Sequence, residues 1–468
     1  MKFTRMSPLF RFIPFVCGLF VLLAQPAAAK PNVLLIVADD LNELLGAWGH
    51  PVVQTPHIDQ LASEGYRFRR AYAQAAVCGP SRASFLTGRR PHEVGVIDNK
   101  ARFRDACPDL VTLPQHFREN GYYTATVGKV FHHDQIFDEP SWDTCDPNWR
   151  FDEFGATFGA SRDVTGGALP WITWRAVEEG TLWDDWVVNT VKVEIKKQQE
   201  IEQPFFLAAG LMRPHDPFFA PKEFFDMYPL ESIRLPENAT RDGLPEAAFG
   251  SFDDWMVEID GIDEQGRKEL LRAWYACISY VDSLVGEMVA ELKVANLYED
   301  TIIVFMGDHG YHNWEKGWWG KATVWELSSR SPLILKVPGR RGDADVNRVI
   351  EFIDLYPSLA ELAGLPDPER VSGRSFVPLL EDLQMGDAQW QGLAYTQFKD
   401  GLYSLRTERF RYCEWGKGDE IVSALYDHEV DPAERNDISA QPEYAELVEQ
   451  FHEQLEAQRR MRPAADGR

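Results

Sequence analysis

Residues 78–89 read Cys-Gly-Pro-Ser-Arg-Ala-Ser-Phe-Leu-Thr-Gly-Arg. Pro80 and Ser81 favour the start of a helix, and Gly88 favours its end. Cys78 would then lie at the helix N-terminus, where backbone N–H groups attract an anion, with Arg82 one turn further along the same face. The stretch therefore predicts an oxyanion site, although a buried cysteine with a purely structural role also fits these residues.

The order of these residues resembles the signature of the type I sulfatase family, Cys-x-Pro-Ser-Arg-x-x-x-Leu-Thr-Gly-Arg, at every specified position. In that family a maturation enzyme oxidises the cysteine to Cα-formylglycine, and the hydrated aldehyde attacks sulfur. The resemblance therefore implies that Cys78 is catalytic and that a formylglycine-generating enzyme is a partner. A hydrated aldehyde suits this reaction because its second hydroxyl lets the sulfated intermediate collapse, whereas a serine ester would need a second attack by water.

Two predicted strands end in acidic residues. Residues 32–38 and 301–306 are continuous aliphatic runs, as in parallel strands buried on both faces, and they lead into Asp39-Asp40 and Asp308. Ligands bind at the carboxyl ends of such strands, and hard carboxylate oxygens favour Ca²⁺ or Mg²⁺ over zinc. A solvated turn is the simpler alternative for the acid pair. The family resemblance implies one Ca²⁺, held by Asp39, Asp40, Cys78 as formylglycine, Asp308 and His309.

Three further groups of candidate site residues follow predicted strands or lie in a predicted loop. Lys129 and His132 follow the strand at 124–128, His215 follows the strand at 205–211, and Lys321 ends the aromatic loop 312–321. The resemblance implies that Arg82, Lys129 and Lys321 bind sulfate oxygens. It also implies that His215, with or without Lys321, protonates the departing sugar oxygen and that His132 is the base that helps expel sulfate. How the two histidines share these roles is left open.

The segments Gly128–His132 and Pro214–Phe218 resemble those of the iduronate-2-sulfatase branch and its bacterial relatives, which implies a 2-O-sulfated uronic acid or a similarly placed sugar sulfate as substrate. A uronate needs a second cationic or hydrogen-bonding group beside the sulfate site. The candidates for contacts with the sugar and its carboxylate are Arg213, His312, Lys316 and the aromatic residues Trp314, Trp318 and Trp319. Packing within the loop explains the tryptophans equally well.

The periodicity and the resemblance together predict an α/β fold like that of the alkaline-phosphatase superfamily. A large, mixed, mainly parallel sheet with helices on both faces is expected in a catalytic domain over residues 30–385. A smaller C-terminal subdomain, residues 386–468, is expected to carry a four-stranded antiparallel sheet and a terminal helix. Cys107 and Cys145 flank a loop-rich region, and the sequence leaves open whether they form a disulfide.

Composition and the amino terminus indicate where the protein acts. The formal net charge of −25 argues against non-specific nucleic-acid binding, which needs a basic surface. Residues 1–29 have basic residues, a short apolar run and three alanines, the pattern of a secretory signal peptide. No later segment is long and apolar enough to be expected to span a membrane. We therefore expect a secreted or periplasmic protein.

Two other functions fit the sequence. A hydrolase of the same superfamily that acts on phosphate or phosphonate esters would use a similar set of cations. A non-catalytic glycan-binding protein would result if Cys78 were never oxidised, although binding alone needs neither an acid nor a base.

Overall fold

A computed structural model of the chain describes residue 1 and residues 30–132, 137–145, 174–177, 181–249 and 261–460. Its contacts separate Met1–Lys30 from Pro31–Arg468, and the latter packs as one unit. The predicted signal peptide lies outside the described residues, apart from residue 1. Among the described residues, no helix is both long and apolar enough to cross a membrane. The predicted domain boundary after residue 385 stays a prediction.

The strands, numbered in chain order, are β1 (Asn32–Asp39), β2 (Tyr66–Phe68), β3 (Ala71–Tyr72), β4 (Tyr123–Gly128), β5 (Thr144–Cys145), β6 (Trp174–Val177), β7 (Phe205–Pro214), β8 (Phe218–Pro221), β9 (Thr301–Gly307), β10 (His312–Asn313), β11 (Trp319–Gly320), β12 (Leu333–Lys336), β13 (Ala344–Val346), β14 (Ile350–Glu351), β15 (Ala394–Phe398), β16 (Leu402–Arg406), β17 (Phe410–Trp415) and β18 (Val422–Asp427). The α-helices are α1 (Pro56–Glu64), α2 (Cys78–Thr87), α3 (Phe103–Ala106), α4 (Leu113–Glu119), α5 (Trp183–Gln198), α6 (Lys222–Asp226), α7 (Glu264–Val294), α8 (Glu326–Ser329), α9 (Leu355–Leu362), α10 (Val377–Glu381) and α11 (Ala445–Arg460).

The centre of the fold is an eight-stranded sheet with the order β13-β2-β12-β9-β1-β7-β4-β5. All neighbouring strands in it are parallel except β12, which is antiparallel to both β2 and β9. β1 lies between β7 and β9, so the first predicted strand is buried on both sides. The predicted mixed, mainly parallel sheet is confirmed.

Both faces of this sheet are covered by helices. Successive side chains of a strand point to opposite faces, so β1 contributes to two separate cores. Ile36 belongs to the core that contains Trp274 of α7, and Leu35 belongs to the core that contains Phe85 of α2. α2 ends where the sequence predicted, at Gly88, whose φ of 67° is left-handed and is adopted by glycine without strain.

The second sheet is C-terminal and antiparallel, with the order β15-β16-β17-β18. Phe451 and Leu455 of α11 are buried against one face, in a cluster with Tyr412 and Leu425. The opposite face contributes Trp415 to a cluster shared with the loop before α8. The predicted small antiparallel sheet is confirmed.

Candidate active site

The predicted site residues lie at one edge of the large sheet. β1 ends at Asp39, β4 leads into Lys129, β7 into His215 and β9 into Asp308. β1 is parallel to β7 and β9, and β7 is parallel to β4, so the carboxyl ends of these strands are adjacent. Open α/β sheets bind ligands at this edge. The backbone therefore gathers residues that are far apart in the sequence.

The start of α2 brings Cys78 to the same edge. The N–H of Gly79 donates to Asn99 Oδ1 at 2.8 Å, and a Cβ at Gly79 would lie 2.8 Å from that oxygen, which explains the glycine. Ser81 Oγ donates a hydrogen bond to the backbone carbonyl oxygen of Asp308. These contacts fix the first turn of the helix against the end of β9.

Buried side-chain atoms that could coordinate a metal ion lie close together beside Cys78. Asp39, Asp40, Cys78 and His309 each place one such atom within 4.8 Å of the others. His309 Nε2 lies 3.3 Å from Asp40 Oδ1 and 3.4 Å from Cys78 Sγ. Its Nδ1 lies 3.0 Å from the carbonyl oxygen of Gly310, which accepts a hydrogen bond only if Nδ1 carries the proton. Burial lowers the pKa of His309, so neutral Nε2 presents a lone pair to the group.

Asp308 lies beside this group and orients it. Its Oδ1 accepts the N–H of Asp40 at 2.9 Å and that of His309 at 3.1 Å, and its Oδ2 is 3.7 Å from His309 Nε2. Asp40 has a φ of 63°, a left-handed conformation that such tertiary contacts must hold in place. Three buried carboxylates and one imidazole nitrogen are a donor set that fits a hard divalent cation.

Three buried cations surround the carboxylates. Arg82 donates from Nε to Asp308 Oδ2 at 2.9 Å and from Nη2 to Asp39 Oδ1 at 3.2 Å. Lys129 Nζ donates to Asp39 Oδ2. Lys321 Nζ donates to Asp40 Oδ1 and lies 2.9 Å from Cys78 Sγ. Each acid of the cluster therefore has a cationic partner.

Burial and these charges set the protonation states. Burial alone would raise the pKa of Asp39, but Lys129, His215 and Arg82 outweigh it and hold the pKa well below its ordinary value. Burial and the Asp39 charge raise the pKa of Cys78 well above that of a free thiol. Because the thiolate is the nucleophilic form of cysteine, unmodified Cys78 is a poor nucleophile at neutral pH.

His215 faces the carboxylates from the end of β7. Its Nε2 lies 3.9 Å from Asp40 Oδ2, and its Nδ1 lies 2.8 Å from the backbone oxygen of Asp216 and 3.1 Å from its carboxylate. Arg213 Nη1 donates to the backbone oxygen of His215 at 2.7 Å and so supports the turn. His132, the other predicted proton carrier, is buried three residues after Lys129.

Comparison with known proteins identifies the family. The sulfatase family profile matches residues 31–365, and a profile described as N-sulphoglucosamine sulphohydrolase, C-terminal, matches residues 314–461. The chain belongs to the sulfatase family. It is 34% identical to a sulfatase of Formosa agariphila over 438 residues, which cover 88% of this chain and 83% of that protein. It is 33% identical to mouse iduronate 2-sulfatase over 467 residues, which cover 82% of this chain and 84% of that enzyme. The chain is therefore a sulfuric ester hydrolase by family.

Solved structures share the fold of this sulfatase. One, determined in complex with its substrate D-glucosamine-2-N,6-O-disulfate, has a TM-score of 0.73 at 22% identity and covers 92% of this chain and 98% of its own. The phosphonate monoester hydrolase of Agrobacterium radiobacter also has a TM-score of 0.73, at 23% identity, with coverage of 92% and 95%. These likenesses, together with the family match, confirm the predicted α/β sulfatase fold.

Three residues of the loop 312–321 that were predicted to contact the substrate have side chains that contact other parts of the protein. His312 is fully buried, with Nε2 at 3.1 Å from Thr323 Oγ1. Trp314 is 1% exposed and packs against Trp319, with ring centroids 5.2 Å apart. Lys316 is 2% exposed, and its Nζ donates to backbone carbonyl oxygens near the end of the chain. The structure therefore gives these residues packing contacts, and their contact with a sugar stays a prediction.

One positioning residue was missed in the sequence. Asp184 is 2% exposed near the start of α5, and its carboxylate accepts the N–H of Met212 at 2.7 Å and that of Arg213 at 3.0 Å. These bonds hold the end of β7 just before His215. The available signal was the acidic pair Asp184-Asp185, which lies in the first turn of α5, where carboxylates are favoured.

Proposed function

We propose that this sulfatase is formylglycine-dependent and hydrolyses sulfate monoesters of sugars. The observation that carries the proposal is the place of Cys78, at the start of a buried helix, with its Sγ 2.9 Å from Lys321 Nζ and within 4.8 Å of ligand atoms of the acid cluster. The raised pKa of the thiol supports it, because an unmodified cysteine would be poorly ionised there. Oxidation of Cys78 requires a formylglycine-generating enzyme as a partner.

We assign one Ca²⁺ to the cluster. Asp39, Asp40, Asp308 and His309 would hold it together with residue 78, since three of these four side chains supply the hard oxygens that Ca²⁺ prefers. When bound, the cation supplies a Lewis acid for a sulfate oxygen. The hydrogen bonds from Arg82 keep Asp39 and Asp308 ionised and oriented for this purpose.

The other residues divide the work of binding and proton transfer. Formylglycine, when formed, supplies one hydroxyl that attacks sulfur and a second hydroxyl whose loss of a proton expels sulfate. Lys129 and Lys321 offset the negative charge that develops on the sulfate oxygens. His215 delivers a proton to the departing sugar oxygen, because a sugar alkoxide is a poor leaving group. His132 accepts the proton when sulfate is expelled.

The proposed substrate is a 2-O-sulfated uronic acid within a glycan, and the proposed location is secreted or periplasmic. Mouse and human iduronate 2-sulfatases, at 33% and 35% identity, support the substrate class. The loop residues His312, Trp314 and Lys316 do not support it, because their side chains are buried in other contacts. Arg213 is the candidate for the substrate carboxylate because it lies beside His215; it too is buried, and it donates to the backbone oxygens of His215 and Phe219. The signal-like composition of residues 1–29 supports the location.

The test combines the mass of the Cys78 peptide with matched ester substrates. Co-expression with a formylglycine-generating enzyme should convert the peptide to the aldehyde mass, and turnover of nitrophenyl sulfate should rise with the converted fraction. The same preparation should hydrolyse nitrophenyl phosphate and phenylphosphonate esters much more slowly. Full activity with an unmodified thiol would refute the formylglycine mechanism. Faster hydrolysis of the phosphate or phosphonate ester would instead favour the alternative hydrolase.

A further inference from the structure

The loop that carries Lys321 contains a second buried lysine, Lys316, which the proposed chemistry does not use. Its Nζ donates to the carbonyl oxygen of Ala433 at 2.8 Å and to that of Glu434 at 2.5 Å. It also lies 4.7 Å from the centre of the Trp325 ring. Burying an ammonium group is costly unless hydrogen bonds and charges compensate it. The loop is therefore tied to the C-terminal part of the chain by two hydrogen bonds and a cation–π contact.

The backbone of this loop needs such a contact. Trp314, Lys316 and Ala322 have φ values of 80°, 57° and 74°, in the left-handed region that residues other than glycine seldom adopt. Residues in this region persist only where the surrounding structure over-determines them. The Lys316 N–H also donates to the carbonyl oxygen of Asn238 at 3.0 Å, so both ends of this residue are held.

Hydrogen bonds within the loop connect the residues on either side of Lys316 to each other and to Lys321. The N–H of Gly317 donates to the Trp314 carbonyl oxygen at 3.0 Å, and the N–H of Trp318 donates to that of Glu315 at 3.1 Å. The indole Nε1 of Trp318 then donates to the carbonyl oxygen of Lys321 at 2.9 Å. Lys321 Nζ ends this chain of contacts 2.9 Å from Cys78 Sγ.

The C-terminal side of the anchor is equally well fixed. Glu434 is 1% exposed; its Oε2 accepts the N–H of Glu326 at 2.9 Å, and its Oε1 lies 2.6 Å from Arg411 Nε. Arg435 Nη1 donates to the carbonyl oxygen of Thr240 at 2.9 Å. The two carbonyl oxygens that receive Lys316 are therefore held in place by neighbours from several elements.

We propose that Lys316 is a positioning residue that holds Lys321 against Cys78 through the loop between them. This inference rests on the proposed function, because it assumes that Lys321 acts in turnover. It also gives the C-terminal segment at 433–434 a part in organising the active site. The competing explanation is that Lys316 stabilises the fold without affecting Lys321.

Lys336 provides a matched control. It is a buried lysine whose Nζ donates to the Tyr298 carbonyl oxygen and lies 4.1 Å from the centre of that ring. It pairs with Ile303, near the start of β9, whereas the active site is at the other end of that strand. Lys336→Met should therefore cost stability for the same reason as Lys316→Met while leaving turnover unchanged.

The experiment is a double-mutant cycle on the matured, Ca²⁺-loaded enzyme with nitrophenyl sulfate. Lys316→Met should lower kcat by about 10- to 100-fold, because a displaced Lys321 would no longer stabilise the transition state beside residue 78. In the Lys321→Ala background the same substitution should change kcat by less than about 2-fold, since residues that act through one another are not additive. Equal fold-changes in both backgrounds, or an equal loss of kcat in Lys336→Met, would overturn the proposal.

Two further measurements keep the outcome decisive. Trp318→Phe removes the indole hydrogen bond, together with part of a ring that packs against Phe249 and Arg241, and leaves the buried charge of Lys316 in place. It should lower kcat several-fold, again only when Lys321 is present. If wild-type enzyme shows no sulfatase activity, the proposed function fails, and crystal structures then decide the positioning role. Lys321 Nζ must leave Cys78 in Lys316→Met and stay in Lys336→Met. If Lys321 does not move in Lys316→Met, the positioning role of Lys316 is refuted.

Discussion

Replacing Glu434 by glutamine should produce a loss of stability that depends on pH. Burial alone would raise the pKa of Glu434, but Arg411 and His428 outweigh it and lower the pKa from 4.5 to about 2. Glu326, Arg330 and Lys316 are further charged groups near this carboxylate. Because the folded-state pKa is depressed, the stabilisation is complete above the unfolded pKa and is lost as the pH falls through the folded value.

The magnitude follows from the difference in pKa. One pKa unit corresponds to about 1.4 kcal/mol, so the charged carboxylate contributes roughly 3 kcal/mol to the free energy of unfolding at pH 7. At about pH 3.5 Glu434 is mostly protonated in the unfolded state and mostly ionised in the folded state. Its charge then contributes roughly 2 kcal/mol to the free energy of unfolding. The difference in the free energy of unfolding between wild type and Glu434→Gln should therefore shrink by roughly 1 kcal/mol, from about 3 at pH 7 to about 2 at pH 3.5.

Urea unfolding of both proteins at the two pH values measures this difference. Glu264→Gln is the control, because Glu264 is an exposed glutamate that pairs with Lys268, at 2.6 Å on the same helix. It should leave the free energy of unfolding nearly unchanged at both pH values. A Glu434→Gln effect of the same size at pH 7 and pH 3.5 would show that packing, and not charge, accounts for the contribution of this residue.

The site makes further predictions. Asp308→Ala should abolish turnover, and chelation should lower both activity and thermal stability; full activity after metal analysis confirms removal would contradict the cation site. His215→Ala should damage hydrolysis of sugar sulfates far more than that of nitrophenyl sulfate, because nitrophenolate leaves without a proton; equal losses would assign His215 to binding. Asp184→Asn should lower kcat about 10-fold by loosening the end of β7. Asp354→Asn, which loses equivalent bonds to the N–H groups of Arg374 and Glu351, should affect stability alone. Uronate sulfates should have a higher kcat/KM than their reduced, uncharged analogues, and equal values would reject the uronate assignment.

The parts of the fold that could be predicted are those with a local signal. β1 and β9 are continuous aliphatic runs, and their ends were predicted to within one residue. The antiparallel direction of β12 could not be predicted, because the direction of a strand depends on its connections and not on its own residues. α5 was not predicted, although its buried residues recur every three or four positions, because its valines fit a strand equally well.

The same limit applies to the site. The strand-end acids could be placed because the carboxyl ends of parallel strands meet at one edge, and Cys78 could be placed by its helix signals and its resemblance to the family signature. Lys316 is a candidate for the substrate carboxylate because it is a cation in the loop predicted to wall the pocket, but its side chain contacts a segment more than a hundred residues away. The direction of a side chain in an irregular loop depends on tertiary contacts that no local pattern encodes.

Charge balance explains how an acidic protein can bind an anionic ester at this site. At the described centre, Asp39, Asp40 and Asp308 bring three negative charges, and Arg82, Lys129 and Lys321 bring three positive ones. Burial keeps the Cys78 thiol and the His309 imidazole neutral. The charges of the three acids and the three cations therefore sum to zero, in a chain of net charge −25. A divalent cation on the carboxylates would turn this neutral centre into one of charge +2, and a sulfate monoester would bring −1. The attraction for substrate therefore depends on the cation, and chelation should weaken the binding of inorganic sulfate as well as turnover.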